Sequence, residues 1–286
     1  MTKLLLYALL MLGCAGSGMA QTAPKPPKSV RIYVFDCGTI KGMDVTLYGF
    51  KDGEVQIHDF VVPCYLIVHP KGTLMWDVGT LPDSVLTGAG PVTQGIMTLR
   101  RTLRSQLAEI GYKPGSIDYL AFSHYHTDHT ANANDFAQST WLVRQPELDV
   151  MFGDPPAPGQ PRRIIQTQSF SALKNSKRKV LTMDEYDVFG DKTVVLKSAP
   201  GHTPGHQVLF VNMRKKTGAV LIAGDLYHYP EEGPLNRFPT FEFNQAQSAV
   251  SRKEVAEFVK KHKAQMWIEH DPATYEKQKK SPGFYE

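Results

Sequence analysis

Four side chains that can bind a metal ion lie within six consecutive positions near the middle of the chain: His124, His126, Asp128 and His129. An extended chain alternates its side chains, so His124 and His126 point to one side, and Asp128 and His129 follow where the chain turns. Imidazole nitrogen and carboxylate oxygen are the ligands that zinc takes in catalytic sites. A lone histidine is usually a surface or core residue, but this density of ligands predicts a metal site.

Three further candidate ligands follow predicted strands in the second half of the chain. His202 lies in a turn rich in glycine and proline, Asp225 ends an apolar strand, and His270 follows the last strand. A site for two metal ions about 3.5–4 Å apart needs ligands for both ions and a carboxylate between them. The seven residues supply that number and those types. The predicted cofactors are therefore two Zn²⁺ ions, or other divalent transition metals.

Strands and helices of mixed order position these residues, and each candidate ligand falls in a turn after a strand. Catalytic groups often lie on loops that a rigid scaffold holds. We therefore predict an α+β fold with one domain over residues 30–286 and surface loops over 81–97 and 151–176. Apolar and β-branched stretches predict strands over 30–36, 61–69, 72–79, 117–122, 192–197, 208–212, 219–223 and 266–269, and apolar spacing or composition predicts helices over 98–110 and 245–261.

The first 20 residues have the pattern of a secretory signal peptide. Lys3 precedes an apolar run that is too short to span a bilayer, and small residues then lead to Ala20. We expect cleavage after Ala20, export to the periplasm or the medium, and a proline-rich tether over residues 21–29. Lipid attachment at Cys14 is the alternative, because the residues around it resemble a lipoprotein processing site.

Charge and cysteine content limit the partners of the chain. The net charge is +4 over 286 residues, and the basic residues are scattered without interleaved aromatics, so we expect no nucleic-acid partner. Beyond the leader, no segment is long and apolar enough to cross a membrane. Cys37 and Cys64 lie on neighbouring predicted strands, and either a disulfide or two buried thiols fit them. The sequence defines no oligomeric state.

The motifs together resemble those of the metallo-β-lactamase superfamily. They read His-x-His-x-Asp-His, Gly-His-Thr-Pro-Gly-His, Ala-Gly-Asp and Glu-His-Asp, in the expected order. The resemblance implies a four-layer αβ/βα sandwich with the metals at the mouth between two sheets. It also implies the following ligands: His124, His126 and His202 for one zinc, Asp128, His129 and His270 for the other, and Asp225 as a bridge.

The resemblance also suggests supporting residues and a mechanism. Asp77, in an Asp-x-Gly turn, resembles the family's buried carboxylate that orients a ligand histidine, and a simple turn residue is the alternative. His206 is expected to support the site rather than to bind a metal. In such a centre a hydroxide that bridges the metals attacks a polarised carbonyl, and Asp128 passes a proton to the leaving group. This predicts a hydrolase of an ester, lactone, thioester or amide bond.

Within the superfamily the sequence is most similar to the N-acyl-homoserine lactonases, particularly over residues 62–67 and 201–207. Asp225 disfavours β-lactam substrates, because true metallo-β-lactamases generally lack a bridging carboxylate. The expected function is therefore opening of N-acyl-homoserine lactones, that is, quorum quenching by a small-molecule hydrolase. β-Lactam or glyoxalase II-like thioester hydrolysis and a non-catalytic zinc-binding protein are the alternatives.

A departure from the lactonase pattern follows Asp225. Members of that group commonly use a tyrosine shortly after the bridging aspartate to donate a hydrogen bond to the lactone carbonyl. The expected position, three residues on, is His228 here, so Tyr227 is the first candidate for this catalytic role and Tyr229 the second. Either could instead be a plain aromatic wall residue. Three phenylalanines in the loop 238–243 either line an acyl-chain groove or pack on the core.

Overall fold

Two β-sheets lie face to face in the computed structural model, which describes residues 24–153, 168–213 and 217–286. The strands are β1 Arg31–Ile40, β2 Phe60–His69, β3 Gly72–Trp76, β4 Val92–Gln94, β5 Met97–Leu99, β6 Tyr119–Ala121, β7 Thr140–Arg144, β8 Arg178–Leu181, β9 Glu185–Asp187, β10 Val194–Ser198, β11 Gln207–Asn212, β12 Ala219–Ile222 and β13 Gln265–Trp267. The first sheet has the order β4-β5-β1-β2-β3-β6-β7-β8, and the second has the order β13-β12-β11-β10-β9.

Helices cover the outer faces of both sheets. Leu107 of α1 and Met151 of α3 pack against the first sheet, and Val255 and Phe258 of α4 pack against the second. The layers therefore run helix, sheet, sheet, helix, and the predicted αβ/βα sandwich is confirmed. The helices are α1 Leu103–Glu109, α2 Thr127–Thr130, α3 Gln145–Phe152, α4 Gln245–His262 and α5 Pro272–Lys277, with short 3₁₀ helices that include Val45–Tyr48 and Gly224–Leu226.

Alternation along the central strands builds the core between the sheets. On β2, Tyr65 and Ile67 face the second sheet, whereas Leu66 faces the helices on the outside. Leu196 of β10 and Leu209 of β11 complete the same inner core. A strand that is buried on both faces reads as a continuous apolar run, which is what β2 shows. Each such side chain contributes about 1.5–3 kcal/mol by leaving water.

The functional end of the sandwich is the edge where parallel strands finish. β3 runs parallel to β6, and β12 runs parallel to β13, so their carboxyl ends meet at one edge of each sheet. Asp77 follows β3, His124 follows β6, Asp225 follows β12 and His270 follows β13. Ligands commonly bind beyond the carboxyl ends of parallel strands. The topology thus collects residues that are far apart in the sequence.

Three predicted segments differ from the structure. The helix predicted over 98–110 begins only at Leu103, because Thr98 and Leu99 pair in β5 and the side chain of Thr102 caps the helix by accepting the Ser105 N–H. The predicted loop 81–97 contains β4 and the start of β5 rather than loop alone. In the predicted loop 151–176, Met151 and Phe152 belong to α3 and Ser171–Asn175 forms a 3₁₀ helix, while residues 154–167 lie outside the described residues.

The predicted signal peptide, Cys14 and the start of the tether also lie outside the described residues. The rest of the tether, residues 24–29, forms no helix or strand, and Pro27 is buried. Export, lipid attachment and the single-domain boundaries remain predictions. Within the described ranges no helix has the length and apolar character needed to cross a membrane.

Cys37 of β1 and Cys64 of β2 form a disulfide, which decides between the two alternatives left by the sequence. The two strands are antiparallel neighbours, and the Cα atoms of the cysteines are 5.9 Å apart. The carbonyl of Cys37 accepts the Thr80 N–H at 3.3 Å. The cross-link therefore lies beside the turn that follows β3.

Removing this cross-link should destabilise the fold. Cys37→Ala/Cys64→Ala should lose about 3.5 kcal/mol of unfolding free energy, the loop-closure value for a sequence separation of 27 residues. Urea denaturation of the variant and of the wild type, with and without reductant, measures this. Wild-type protein in reductant should match the variant. Equal midpoints for oxidised and reduced wild type would contradict the prediction.

Candidate metal centre

The structure brings the seven predicted ligands together where β6, β12 and β13 end. They form two groups that share Asp225, and within each group the potential ligand atoms lie close to one another. The donor atoms of His124, His126, His202 and Asp225 lie within 4.8 Å of one another, as do those of Asp128, His129 and His270.

The carboxylate of Asp225 faces both groups, one oxygen to each. Its Oδ2 lies 3.5 Å from His124 Nε2 and 3.3 Å from His202 Nε2. Its Oδ1 lies 3.2 Å from His129 Nε2 and 3.1 Å from His270 Nε2. This is the arrangement of a carboxylate that bridges two cations, as the resemblance implies.

Two atoms at the centre are better explained as metal ligands than as members of a hydrogen-bond network. His129 Nε2 and Asp225 Oδ1 are buried, and although they lie 3.2 Å apart, neither makes a hydrogen bond of acceptable geometry. A buried polar atom without a partner is costly, and such cases call for an explanation. A divalent metal ion would satisfy both atoms, and imidazole and carboxylate are the donors that such an ion prefers. The residues present therefore fit a divalent metal centre with two positions.

The electrostatics of His124 and His126 in the first group also suit metal binding. Burial, together with the charge of His129, holds the pKa of His124 well below its usual range. Burial, and then the charge of the nearby His202, lower the pKa of His126 to about 3. Both side chains are therefore neutral at physiological pH, and neutral imidazole is the form that coordinates metals.

Each of three ligand histidines is oriented by a partner on its other ring nitrogen. Asp77 Oδ2 lies 2.9 Å from Nδ1 of His129, Glu242 Oε1 lies 3.3 Å from Nδ1 of His202, and the Val61 carbonyl lies 2.9 Å from Nδ1 of His270. Such partners fix the tautomer, which leaves Nε2 for the metal.

Asp77 makes the contact that the resemblance implies. It is buried, and its Oδ1 also accepts the Ser123 N–H at 2.7 Å. Its φ of 51° is unusual for a residue with a side chain. Strained backbone of this kind occurs where the surrounding contacts fix it at functional sites.

His206 supports Asp225 through the backbone. Its Nε2 accepts the N–H of Asp225 at 3.0 Å, so Nδ1 carries the proton and donates to the Ala199 carbonyl at 3.0 Å. Both ring nitrogens are therefore engaged, and His206 supports the centre without facing it as a ligand. Gly224, with φ 52°, is required here because a Cβ would approach Ser123 to 2.5 Å.

Glu147 of α3 joins the two ligand loops, and no sequence pattern marks it. Its Oε1 accepts the Tyr125 N–H at 2.7 Å. Its Oε2 accepts the Thr203 hydroxyl and the Gly205 N–H, each at 2.8 Å. One buried carboxylate thus ties the loop of the first sheet to the loop of the second. Its partners are mostly backbone groups, which no side-chain motif records.

A family model described as the metallo-β-lactamase superfamily matches residues 58–276. The chain belongs to the metallo-β-lactamase superfamily. The match covers more than half of the chain and spans all seven predicted ligands. The predicted family is confirmed, as is the predicted class of metallo-hydrolase.

Several named relatives within the superfamily are N-acyl homoserine lactonases. The chain is 28% identical over 265 residues to the N-acyl homoserine lactonase AttM of Rhizobium radiobacter, covering 90% of this chain and 98% of that one. It resembles a structure of an N-acyl homoserine lactone hydrolase with N-hexanoyl-L-homoserine at its catalytic metal centre, with TM-score 0.71, 23% identity and coverage of 90% and 99%. It also resembles AidC, a dizinc quorum-quenching lactonase, with TM-score 0.62, 18% identity and coverage of 89% and 92%. These structures share the superfamily fold.

The two candidate tyrosines lie away from the centre of this superfamily member. The guanidinium of Arg252 stacks on the ring of Tyr227 at 4.4 Å. Tyr229 packs on Phe50 and Phe60, with its hydroxyl buried. In the described part of the chain, no hydrogen bond or ring contact joins either tyrosine to the seven ligands. Their backbone is extended, so alternation points both away from the side that His228 occupies.

One phenylalanine of the aromatic loop 238–243 packs on the fold, and another reaches the mouth of the centre. Phe238 packs inside, against the Arg252 guanidinium at 4.2 Å. Phe241 is 44% exposed, and its ring centroid lies 5.9 Å from that of His202, at the mouth of the centre. Glu242, which lies between Phe241 and Phe243 and contacts His202, is marked by no sequence pattern.

Replacing the joining carboxylate should weaken the centre. A carboxamide offers one oxygen, so in Glu147→Gln the N–H of Tyr125 or of Gly205 loses its acceptor. We expect a loss of about 2–3 kcal/mol in unfolding free energy and a fall of about 10–100-fold in zinc affinity. Chelator competition and urea denaturation measure the two quantities.

The matched control is Glu254→Gln, which changes an exposed glutamate of α4 and should leave both quantities unchanged. Wild-type zinc affinity in Glu147→Gln would show that the two loops hold their positions without this carboxylate.

Proposed function

We propose that this chain is a dinuclear zinc hydrolase that opens N-acyl-homoserine lactones. The observation that carries the proposal is the carboxylate of Asp225, which presents one oxygen to each group of ligands. The lactonases at 27–28% identity, each aligned over 90% of this chain, support the substrate class.

The residues of the centre have distinct tasks in this reaction. When bound, two zinc ions supply a hydroxide at neutral pH and polarise the lactone carbonyl. Asp128 accepts a proton at its carboxylate and passes it to the departing ring oxygen. It suits this task because its Oδ2 faces His129 and His270 and its side chain is 17% exposed, whereas that of Asp225 is 5% exposed.

A large cavity beside the centre supports an acylated substrate. It has a volume of about 790 Å³ and is bordered by Thr127, which lies between two of the ligands. Leu81, Val85 and Met97 give it an apolar wall. Pockets that are mainly apolar with a few polar groups bind small organic ligands. We propose that the acyl chain lies there.

We also propose export of the mature chain. The signal-peptide pattern of residues 1–20 supports export, and so does the disulfide between Cys37 and Cys64, because disulfides persist mainly in oxidising compartments.

The proposed reaction has a direct test. Protein loaded with zinc should bind two equivalents and open N-hexanoyl-homoserine lactone faster than it hydrolyses a penicillin or a thioester. Asp128→Asn should lower kcat by about 10²–10⁴-fold, because it removes the proton carrier. Metal analysis and pH-stat kinetics measure both.

Asp52→Asn, at an exposed position, is the control and should keep full activity. Turnover of penicillin or thioester without lactone opening would refute the proposed substrate class. Full activity of Asp128→Asn would refute the proposed role of that residue.

Narrowing the cavity should change chain-length preference. Val85→Trp adds bulk to the apolar wall, so KM for an N-decanoyl lactone should rise about tenfold, or ~1.4 kcal/mol, with little change for an N-butanoyl lactone. The comparison is the ratio of the two KM values. Val250→Trp, at a position of α4 that is 56% exposed, is the control. An unchanged ratio in Val85→Trp would place the acyl chain elsewhere.

A further inference from the structure

The residue in the expected donor position is already engaged. His228 is buried, and its Nε2 lies 3.0 Å from Asp225 Oδ2. Its backbone N–H donates to Glu232 Oε1 at 3.1 Å, and Glu232 is in turn paired with Arg252. His228 therefore holds the carboxylate of Asp225. Another phenol or imidazole donor at this wall would come from a different segment of the chain, and Tyr48 is the one that lies against His228.

Tyr48 lies against this histidine but comes from a distant segment. It ends the 3₁₀ helix Val45–Tyr48, whose start is capped by the Asp44 side chain accepting the Thr46 N–H at 2.9 Å. Its ring centroid lies 4.8 Å from that of His228 and 5.4 Å from that of Phe241. The ring is thus part of the wall at the mouth of the centre.

Two contacts fix the turn that carries Tyr48. The Leu47 carbonyl accepts the Thr240 N–H at 2.7 Å. Gly49, with φ 78°, packs so closely that a Cβ there would lie 2.8 Å from the Phe238 carbonyl oxygen. The turn is therefore held rigidly against the aromatic loop, and the Tyr48 ring has a defined position.

The hydroxyl of Tyr48 is available to a substrate. Tyr48 is 3% exposed as a residue, yet its hydroxyl bonds to no described residue and is not among the fully enclosed atoms. Burial, and then the negative charges of Asp225 and Asp128, raise its pKa above the usual range, so it stays protonated. It is therefore a hydrogen-bond donor, and its ring lies against His228, which itself contacts Asp225.

Tyr229, in the same aromatic cluster, provides the contrast. Its hydroxyl is fully buried without a partner. Burial raises its pKa, and the charges that add to this effect are those of Glu232, Glu231 and Asp44, none of which is a candidate ligand. The two neighbouring phenols thus differ, because the hydroxyl of Tyr229 is fully enclosed and that of Tyr48 is not.

We propose that Tyr48 donates the hydrogen bond that stabilises the carbonyl oxygen of the substrate. The inference rests on the proposed hydrolytic function. When the nucleophilic oxygen adds to the carbonyl carbon, the π electron pair moves to the carbonyl oxygen, and the phenol stabilises that charge without transferring its proton. The bond from carbon to the ring oxygen then breaks, and the proton that Asp128 took from the nucleophile goes to that oxygen.

The test removes the hydroxyl and keeps the ring. Tyr48→Phe should lower kcat for N-hexanoyl-homoserine lactone about 10²-fold, the loss typical for one donor to a developing oxyanion. Zinc content and thermal midpoint should remain those of the wild type. Tyr119→Phe, at a half-buried tyrosine of β6, is the control and should retain full activity. Wild-type kcat in Tyr48→Phe, or an equal loss in Tyr229→Phe, would overturn the proposal.

A thionolactone separates hydrogen bonding from a structural effect. Its sulfur is a weak acceptor, so the difference between wild type and Tyr48→Phe should shrink to about threefold or less on this substrate. Equal losses on both substrates would overturn the proposal. If the wild type opens no lactone but hydrolyses a thioester or penicillin, the lactonase proposal fails. The same pair of variants then tests Tyr48 on that substrate, since its reaction also proceeds through a carbonyl oxygen.

Discussion

The centre depends on a single buried anion, the carboxylate of Asp225. Burial disfavours its charge, but His129, His228 and His270 around it hold its pKa well below the usual range. The carboxylate can serve two cations only if each oxygen faces its own group of imidazoles, which requires a fixed backbone as well as a fixed side chain. His206 supplies the backbone bond, and His228 lies against Oδ2.

The loops of the two sheets must be positioned precisely relative to each other for the Asp225 carboxylate to face imidazoles of both ligand groups. Most ligands follow parallel strands, His202 follows the antiparallel strand β10, and one carboxylate, that of Glu147, joins the loops. Asp77 and Glu242 then aim individual imidazoles. The ligands are thus held in place by carboxylates that are not among the seven predicted metal ligands. The geometry of the centre depends on these supporting residues as well as on the ligands.

The sequence was sufficient to predict the family, the four layers and which seven residues come together, because these depend on the residue types and their order along the chain. It failed where three-dimensional contacts decide. The apolar spacing that predicts a helix includes Leu99, but this residue pairs with Val92 of β4 as part of β5. Tyr227 and Tyr229 lie next to Asp225 in the chain, yet alternation turns them away. Glu147 and Tyr48 act across the fold, and no local pattern marks them.

The contact between Glu147 and Gly205 bears on how the motif Gly-His-Thr-Pro-Gly-His should be interpreted. A Cβ at Gly205 would lie 2.5 Å from the backbone of Glu147, although this glycine touches no ligand atom. Its presence in the motif therefore records the docking of α3 and not the chemistry of the centre. Anyone who diversifies this loop to obtain new activities should keep that glycine and vary the residues that face the cavity instead.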